Sequence, residues 1–278
     1  MFLSLVAATT LLVSCSKSGS ELALPNEQGN VTDTVPGVQS AIKADASATG
    51  NLLYREDFET KTPFSTYVQK QIGTTYGLTV VASPVFQGKQ AGRFELRDTD
   101  PITSGGTRSE VKFPDLTNPN RWYAFSVYFP ESDYKYDSKA EIINQWHQGG
   151  GASPSISLIT RYDKLVIEVR NKPDKKVQYP LGTGTIQKNK WRNYVLHIVH
   201  SNKSDGLIEV WEDGVKIFTN KGANSYDFGK YDKPKWKLGL YKWDWNGNET
   251  TDTKKRVVFF DDVRLGNEKA TYAEMTAK

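Results

Sequence analysis

The stretch Glu209-Val210-Trp211-Glu212-Asp213-Gly214-Val215-Lys216-Ile217 sets the structural character of the chain. Polar and apolar residues alternate on either side of Asp213-Gly214, and an Asp-Gly pair readily supplies the positive φ angles that a two-residue hairpin turn demands. The segment therefore predicts two antiparallel strands. Outward from it, the chain from Asn51 onward keeps the same pattern: short apolar or alternating runs bounded by turn residues, with almost nothing at helical spacing. Candidate strands run over 53–58, 78–82, 91–96, 108–113, 122–129, 142–147, 156–160, 165–169, 193–200, 206–212, 236–241 and 257–265, with turns at Tyr162-Asp163-Lys164 and Lys203-Ser204-Asp205-Gly206. No repeat of about 20 to 50 residues is present, which argues against propellers and solenoids. The pattern is that of an all-β sandwich or barrel.

The chain has 278 residues, 37% hydrophobic and 12% aromatic, enough to bury the core of one large domain. Its formal net charge is +4, and Lys and Arg are dispersed among Asp and Glu rather than gathered into a basic block. Nucleic acid is excluded as a partner on that basis. A mildly basic protein rich in Trp and Tyr suits an acidic, ring-containing ligand such as a uronic-acid polysaccharide, because aromatic faces stack on sugars and cations meet carboxylates. A monomer is expected.

The sole cysteine, Cys15, ends the apolar run FLSLVAATTLLVSC, which is too short for a permanent membrane helix and stands where a signal sequence belongs. Leu12-Val13-Ser14-Cys15 resembles the bacterial lipobox. The resemblance implies cleavage before Cys15, lipid attachment to its sulfur, and an exported lipoprotein held in the outer membrane, at the cell surface or in the periplasm. With one cysteine there is no internal disulfide. Residues 1–15 are thus read as signal peptide and lipobox. Residues 16–51, rich in Ser, Gly, Ala, Thr, Asn and Pro, are read as a flexible tether, and residues 52–278 as the folded domain.

Glu141 to Pro154, EIINQWHQGGGASP, is the stretch richest in chemistry. On a strand, Gln145 and His147 project from one face and Trp146 from the other. Gly149, Gly150 and Gly151 then leave open space beside the imidazole. A strand histidine is more often structural than catalytic, so the weight falls on the remaining motifs.

Thr107-Arg108-Ser109-Glu110, Trp122 through Pro130, Asn144-Gln145-Trp146-His147-Gln148, Lys190 through Tyr194, Gly206 through Trp211, Leu238-Gly239-Leu240-Tyr241-Lys242 and Phe260 through Arg264 follow one another in a recognisable order. Together they resemble the heparin lyase I-like and glucuronan lyase superfamily of polysaccharide lyases, over roughly residues 53 to 267. The resemblance implies a β-jelly roll of two curved antiparallel sheets with a concave substrate groove. It also implies β-elimination on an acidic polysaccharide, glucuronan-like or heparin-like, with His147 and Tyr241 as the catalytic pair.

Such a reaction needs a neutralised uronate carboxylate, a base for the C5 proton and an acid for the leaving oxygen. His147, with an ordinary pKa near ~6.5, suits abstraction as a neutral imidazole. Tyr241 suits the acid, or the base if a cation lowers its pKa. Which of the two abstracts depends on the stereochemistry of the uronate. Gln145, Asn144 and Arg108 are candidates to bind the carboxylate, although Glu110 shares a face with Arg108 and could lock it in a structural pair. Lys242 is either a substrate contact or a rim charge. His197 is a secondary substrate-facing candidate, and the Trp243-Asp244-Trp245 run could stack sugars or contribute to the core.

No cofactor is required by this chemistry. Glu56, Asp57, Asp261 and Asp262 could approach one another and hold a structural calcium. The rival to an enzyme is a non-catalytic carbohydrate-binding lipoprotein on the same jelly roll. Hydrolysis would call for two carboxylates across the scissile bond, and no compact acidic cluster of that kind stands on a strand.

Overall fold

Alternation of side chains decides where each strand goes. In this computed structural model, which describes residues 50–277 apart from 116 and 248, the first strands are β1 (Leu52–Glu56), β2 (Gln69–Ile72), β3 (Leu78–Val81), β4 (Ala91–Arg97) and β5 (Arg108–Lys112). They are followed by β6 (Asn120–Tyr128), β7 (Glu141–His147), β8 (Ile156–Arg161), β9 (Lys164–Lys172) and β10 (Lys175–Thr185). The last are β11 (Trp191–Val199), β12 (Leu207–Glu212), β13 (Val215–Lys221), β14 (Lys235–Tyr241) and β15 (Lys255–Gly266), before a short helix α1 (Tyr272–Thr276). The expected lipidation at Cys15, the signal sequence and residues 16–49 of the tether lie outside the described residues.

The β12–β13 hairpin forms as its sequence dictates: Glu212 pairs with Val215, and Asp213 and Gly214 turn the chain with φ of 47° and 91°. All strand pairings are antiparallel and assemble two sheets. One runs β13-β12-β11-β6-β15-β4-β3, with β1 extending the pairing of β15 beyond β4. The other runs β10-β9-β8-β7-β14-β5-β2. This is the jelly-roll sandwich expected.

Aromatic rings fill the space between the sheets. Tyr123 and Phe125 of β6 and Phe260 of β15 face Trp146 of β7 and Trp236 of β14, with Tyr123 meeting the two tryptophans edge-on at 5.1 and 5.0 Å between ring centroids. Burial of such rings supplies most of the driving force for closing the sandwich. It also fixes the facing of everything else. Leu238 and Leu240 point into the core, so Lys237, Gly239 and Tyr241 stand on the opposite face of β14. Val111 points inward, which puts Arg108, Glu110 and Lys112 outward, and Trp146 does the same for Gln145 and His147.

Candidate active site

The outward face of β5, β14 and β7 should be wet, yet its polar side chains are buried. Glu110 is 0% exposed, Gln145 1%, and Arg108 and Lys237 each 7%. Burial on a face turned from the core means that neighbouring segments rise around it, so these residues line the floor of a hollow.

Glycines make the floor possible. Gly239 lies opposite Glu110 in the register, with a φ of 138°, and a Cβ there would stand 2.2 Å from the carbonyl oxygen of Ser109. With no side chain on the middle strand, Gln145 reaches over β14 and donates its amide to one oxygen of Glu110. Arg108 Nη1 donates to the other at 2.9 Å. Glu110 thereby orients both donors, while the Arg108 Nε–H is buried with no hydrogen-bond partner among the described residues.

Tyr241 pairs with Arg108 across β14 and β5, and its ring lies on the guanidinium, 4.2 Å from Cζ to the ring centroid. Asn246 Nδ2 donates to the phenol oxygen at 3.3 Å, and Asn246 Oδ1 accepts from the backbone of Thr107 at 2.6 Å. The phenol is thus held by a cation beneath and an amide beside it.

At the other end of the floor, His147 Nδ1 accepts the backbone N–H of Gly149 at 2.9 Å. Gly149, Gly150 and Gly151 all have φ near 70°, at 72°, 68° and 71°, a run that only glycine tolerates readily. The acceptor role of Nδ1 places the hydrogen of the neutral imidazole on Nε2. Burial pushes the His147 pKa down to about 4, reinforced by Lys237 and Arg108 and partly offset by the backbone at Ala152. His147 and Tyr241 stand five register positions apart on β7, roughly 16 Å along a flat strand. They flank the hollow rather than touch.

Lys237, which the sequence reading passed over, lies directly opposite Gln145 and Lys112. It takes part in no ion pair among the described residues. Burial lowers its pKa to about 8, with Glu110 opposing and Arg108 adding to the shift. Its alternation with Leu238 and Leu240 was the available signal. Asn246 could not be found that way, because it lies in the short 3-10 helix Trp243–Gly247 after the strand, where alternation no longer applies.

Several expectations are corrected. Asn144 is buried on the core side, where its Oδ1 accepts from Trp236 Nε1 at 2.6 Å. A bulge in β7 between Ile142 and Asn144 does not move it to the face of Gln145. Lys242 is neither a substrate contact nor a rim charge. It is 0% exposed, 3.2 Å from Asp137 and 3.5 Å from Glu141, in a buried network completed by Arg256. His197 belongs to the other sheet and faces away from the core, since Leu196 and Ile198 face in. There it stacks on Trp122 at 4.3 Å and bonds Asn120 and Glu209. In the Trp243-Asp244-Trp245 run, Trp245 is core and Trp243 is 37% exposed beside Tyr241.

The residues present do not fit a calcium ion. Glu56 turns inward to the backbones of Phe58 and Phe64, both oxygens of Asp262 are taken by Arg264, and Asp261 accepts the backbone N–H groups of Phe86, Gln87 and Asp262. Arg55 adds a second positive charge beside Asp262 at 3.7 Å. Among the described residues no group of three His, Cys, Asp or Glu side chains is arranged around a metal.

The fold and the hollow define a sandwich enzyme whose polar floor is suited to a charged, extended ligand. A family model described as polysaccharide lyase matches residues 57–264, and the chain belongs to that family. The endo-β-1,4-glucuronan lyase of the fungus Trichoderma reesei is similar in structure, with a TM-score of 0.65 at 22% identity over 81% of this chain and 98% of that one. Alginate lyase A1-II′, a member of polysaccharide lyase family 7, gives a TM-score of 0.50 at 14% identity over 72% and 94%. The cellulose induced protein Cip1 gives 0.50 at 12% over 78% and 98%. These likenesses are of fold. A search of curated protein sequences finds no match.

Proposed function

We propose that this polysaccharide lyase cleaves an unsulfated, 4-linked uronic-acid polysaccharide of glucuronan type by β-elimination, with Tyr241 transferring the proton. The observation that carries the reading is the bond from Gly149 N–H to His147 Nδ1. It leaves a neutral imidazole whose Nε2 donates, so His147 serves the substrate carboxylate and the base must be another group. Tyr241 is that group: its ring lies on the Arg108 guanidinium and the Asn246 amide donates to its oxygen.

In glucuronate the C5 hydrogen and the C4 oxygen lie on the same side of the ring. One phenolate can take the C5 proton and hand it to the departing O4 as the C4–C5 double bond forms. Lys237, Gln145 and the free Nε–H of Arg108 would share the negative charge that builds on the carboxylate. The same inventory disfavours a heparin-type chain, whose sulfates need several uncommitted cations, because Arg108 is paired with Glu110.

The test incubates the full chain with glucuronan, alginate, hyaluronan, heparin and pectate and follows the ultraviolet absorbance of the unsaturated uronate. A rise with glucuronan that is lost in Tyr241→Phe supports the reading. New reducing ends without absorbance, or retention of these polymers without cleavage, would overturn it, the latter in favour of a carbohydrate-binding protein. Export and anchoring through Cys15 are part of the proposal, supported by Leu12-Val13-Ser14-Cys15, and Cys15→Ala should release the protein from membranes.

A further inference from the structure

The β8–β9 hairpin turns on Tyr162-Asp163, with Arg161 paired to Lys164 and φ of 55° and 53° at the two central residues. Both are in the left-handed region, the two-residue geometry that ordinarily takes Asn-Gly or Asp-Gly. The β12–β13 turn of the same protein uses Asp213-Gly214, as that rule demands. An aromatic residue at the first position is poorly suited to the backbone. Nor is the strain offset by burial, because Tyr162 remains 46% exposed.

What surrounds Tyr162 presents it outward. Tyr136, 52% exposed, lies with its ring centroid 6.3 Å away. Arg161 spreads over the Tyr162 ring at 4.6 Å and is fixed by donating to the Ser138 carbonyl at 2.8 Å. The Tyr162 amide donates to the Asp137 carbonyl at 2.9 Å, tying the turn to the segment that carries Tyr136. The neighbouring acid, Asp163, is engaged by Lys188 at 2.8 Å, and Arg161 Nη2 also donates to the Tyr162 hydroxyl at 3.0 Å.

We infer that Tyr136, Tyr162 and Arg161 form an accessory platform that stacks an acidic polysaccharide outside the catalytic hollow. Its ligand class rests on the function proposed above. The rings offer faces to the C–H faces of sugars and Arg161 offers a guanidinium to a uronate carboxylate. Position supports the same occupant. Glu141 pairs with Thr160 and Ile142 with Tyr241, so the turn lies at the Tyr241 end of the sheet. It is about two and a half strand spacings from β14, roughly 12 Å. Trp243, beside Tyr241 and 37% exposed, stands at the same end.

The test is gel retardation of the full chain carrying Tyr241→Phe, in gels containing glucuronan, alginate or a neutral β-glucan. Added Tyr136→Ala or Tyr162→Asn should each weaken retardation by the acidic polymers about tenfold, with the neutral polymer inert throughout. Tyr162→Asn should melt at or above the parent temperature, since Asn tolerates the left-handed angle. Unchanged retardation in both variants, equal retardation by the neutral glucan, or a lowered melting temperature in Tyr162→Asn would overturn the platform. Lyase product from the wild type together with unchanged retardation sinks the platform alone. Weakened retardation with no product at all sinks the elimination mechanism and leaves the platform standing.

Discussion

Gly106 and Tyr241 are packed so closely that a carbon added at the glycine would stand 2.6 Å from the tyrosine ring and 2.8 Å from Arg108 Nη2. The stacked pair of phenol and guanidinium therefore depends on a residue that takes no part in the chemistry. Gly106→Ala should push the ring off its cation and lower kcat/KM by about tenfold or more, for roughly 1–3 kcal/mol of stability. Steady-state kinetics beside thermal melting check this, and an alanine variant of full activity would mean that the ring position is unimportant.

The pH profile follows from His147. Its pKa is lowered to about 4, so the imidazole stays neutral as pH falls from 7 through its ordinary value near ~6.5. His147 should therefore contribute no loss of kcat/KM at ~6.5, its own protonation entering only near 4. Stability moves with the same sign. The unfolded chain takes up protons at His147 and at His200, whose pKa is lowered to about 3 by burial, before the folded chain does. The folding free energy these histidines hold above ~6.5 is thus lost as pH drops towards 4. Denaturant melts at several pH values should show a shallower decline in His147→Gln than in the wild type.

Lys237 gives a signature at the other end of the scale. With a pKa of about 8, it loses its charge well below the range of an ordinary lysine. If it meets the substrate carboxylate, wild-type KM should climb as pH rises through 8. Lys237→Met should show a high KM that no longer responds in that range, with stability equal to the wild type or greater, because an unpaired buried cation has been removed. A wild-type KM that is flat across pH 8 would remove Lys237 from the binding surface.

Lys242 should behave in the opposite way. Removing its charge leaves Glu141 with Arg256 as its cation and Asp137 with no ion-pair partner among the described residues. Lys242→Met is expected to cost about 3–5 kcal/mol of stability, while the surviving folded protein keeps its KM. A normal melting temperature with a raised KM would restore Lys242 to the substrate.

Much of the fold could be read from alternation, because strands such as β7, β11 and β14 each bury one face under a wall of aromatic rings. The strands that escaped notice are of another kind. β2, QKQI, and β10, KKVQYPLGTGT, lie at the two edges of the seven-stranded sheet. Edge strands need no apolar alternation and tolerate Pro180, Gly182 and Gly184, so their sequences read as loops.

The site was legible where a residue's facing follows from its neighbours in the strand, as for Arg108, Gln145, His147 and Tyr241. It was illegible where facing is not enough. His197 has strand spacing like His147, and only the pairing of β11 with β6 places it in the other sheet. Lys242 follows Tyr241 by one residue, and only the approach of Asp137 and Glu141 from other segments reveals that it is buried.

β15 is the last strand of the domain, yet it sits inside its sheet, bonded to β6 along one side and to β4 and β1 along the other. Three earlier strands must wait for it. Until residues 255–266 arrive, the growing polypeptide has two incomplete half-sheets with open edges, so folding cannot run to completion from the amino end during synthesis. A chain held in extended form would thus carry no finished version of this domain until residues 255–266 join it, and that one segment would close both half-sheets together.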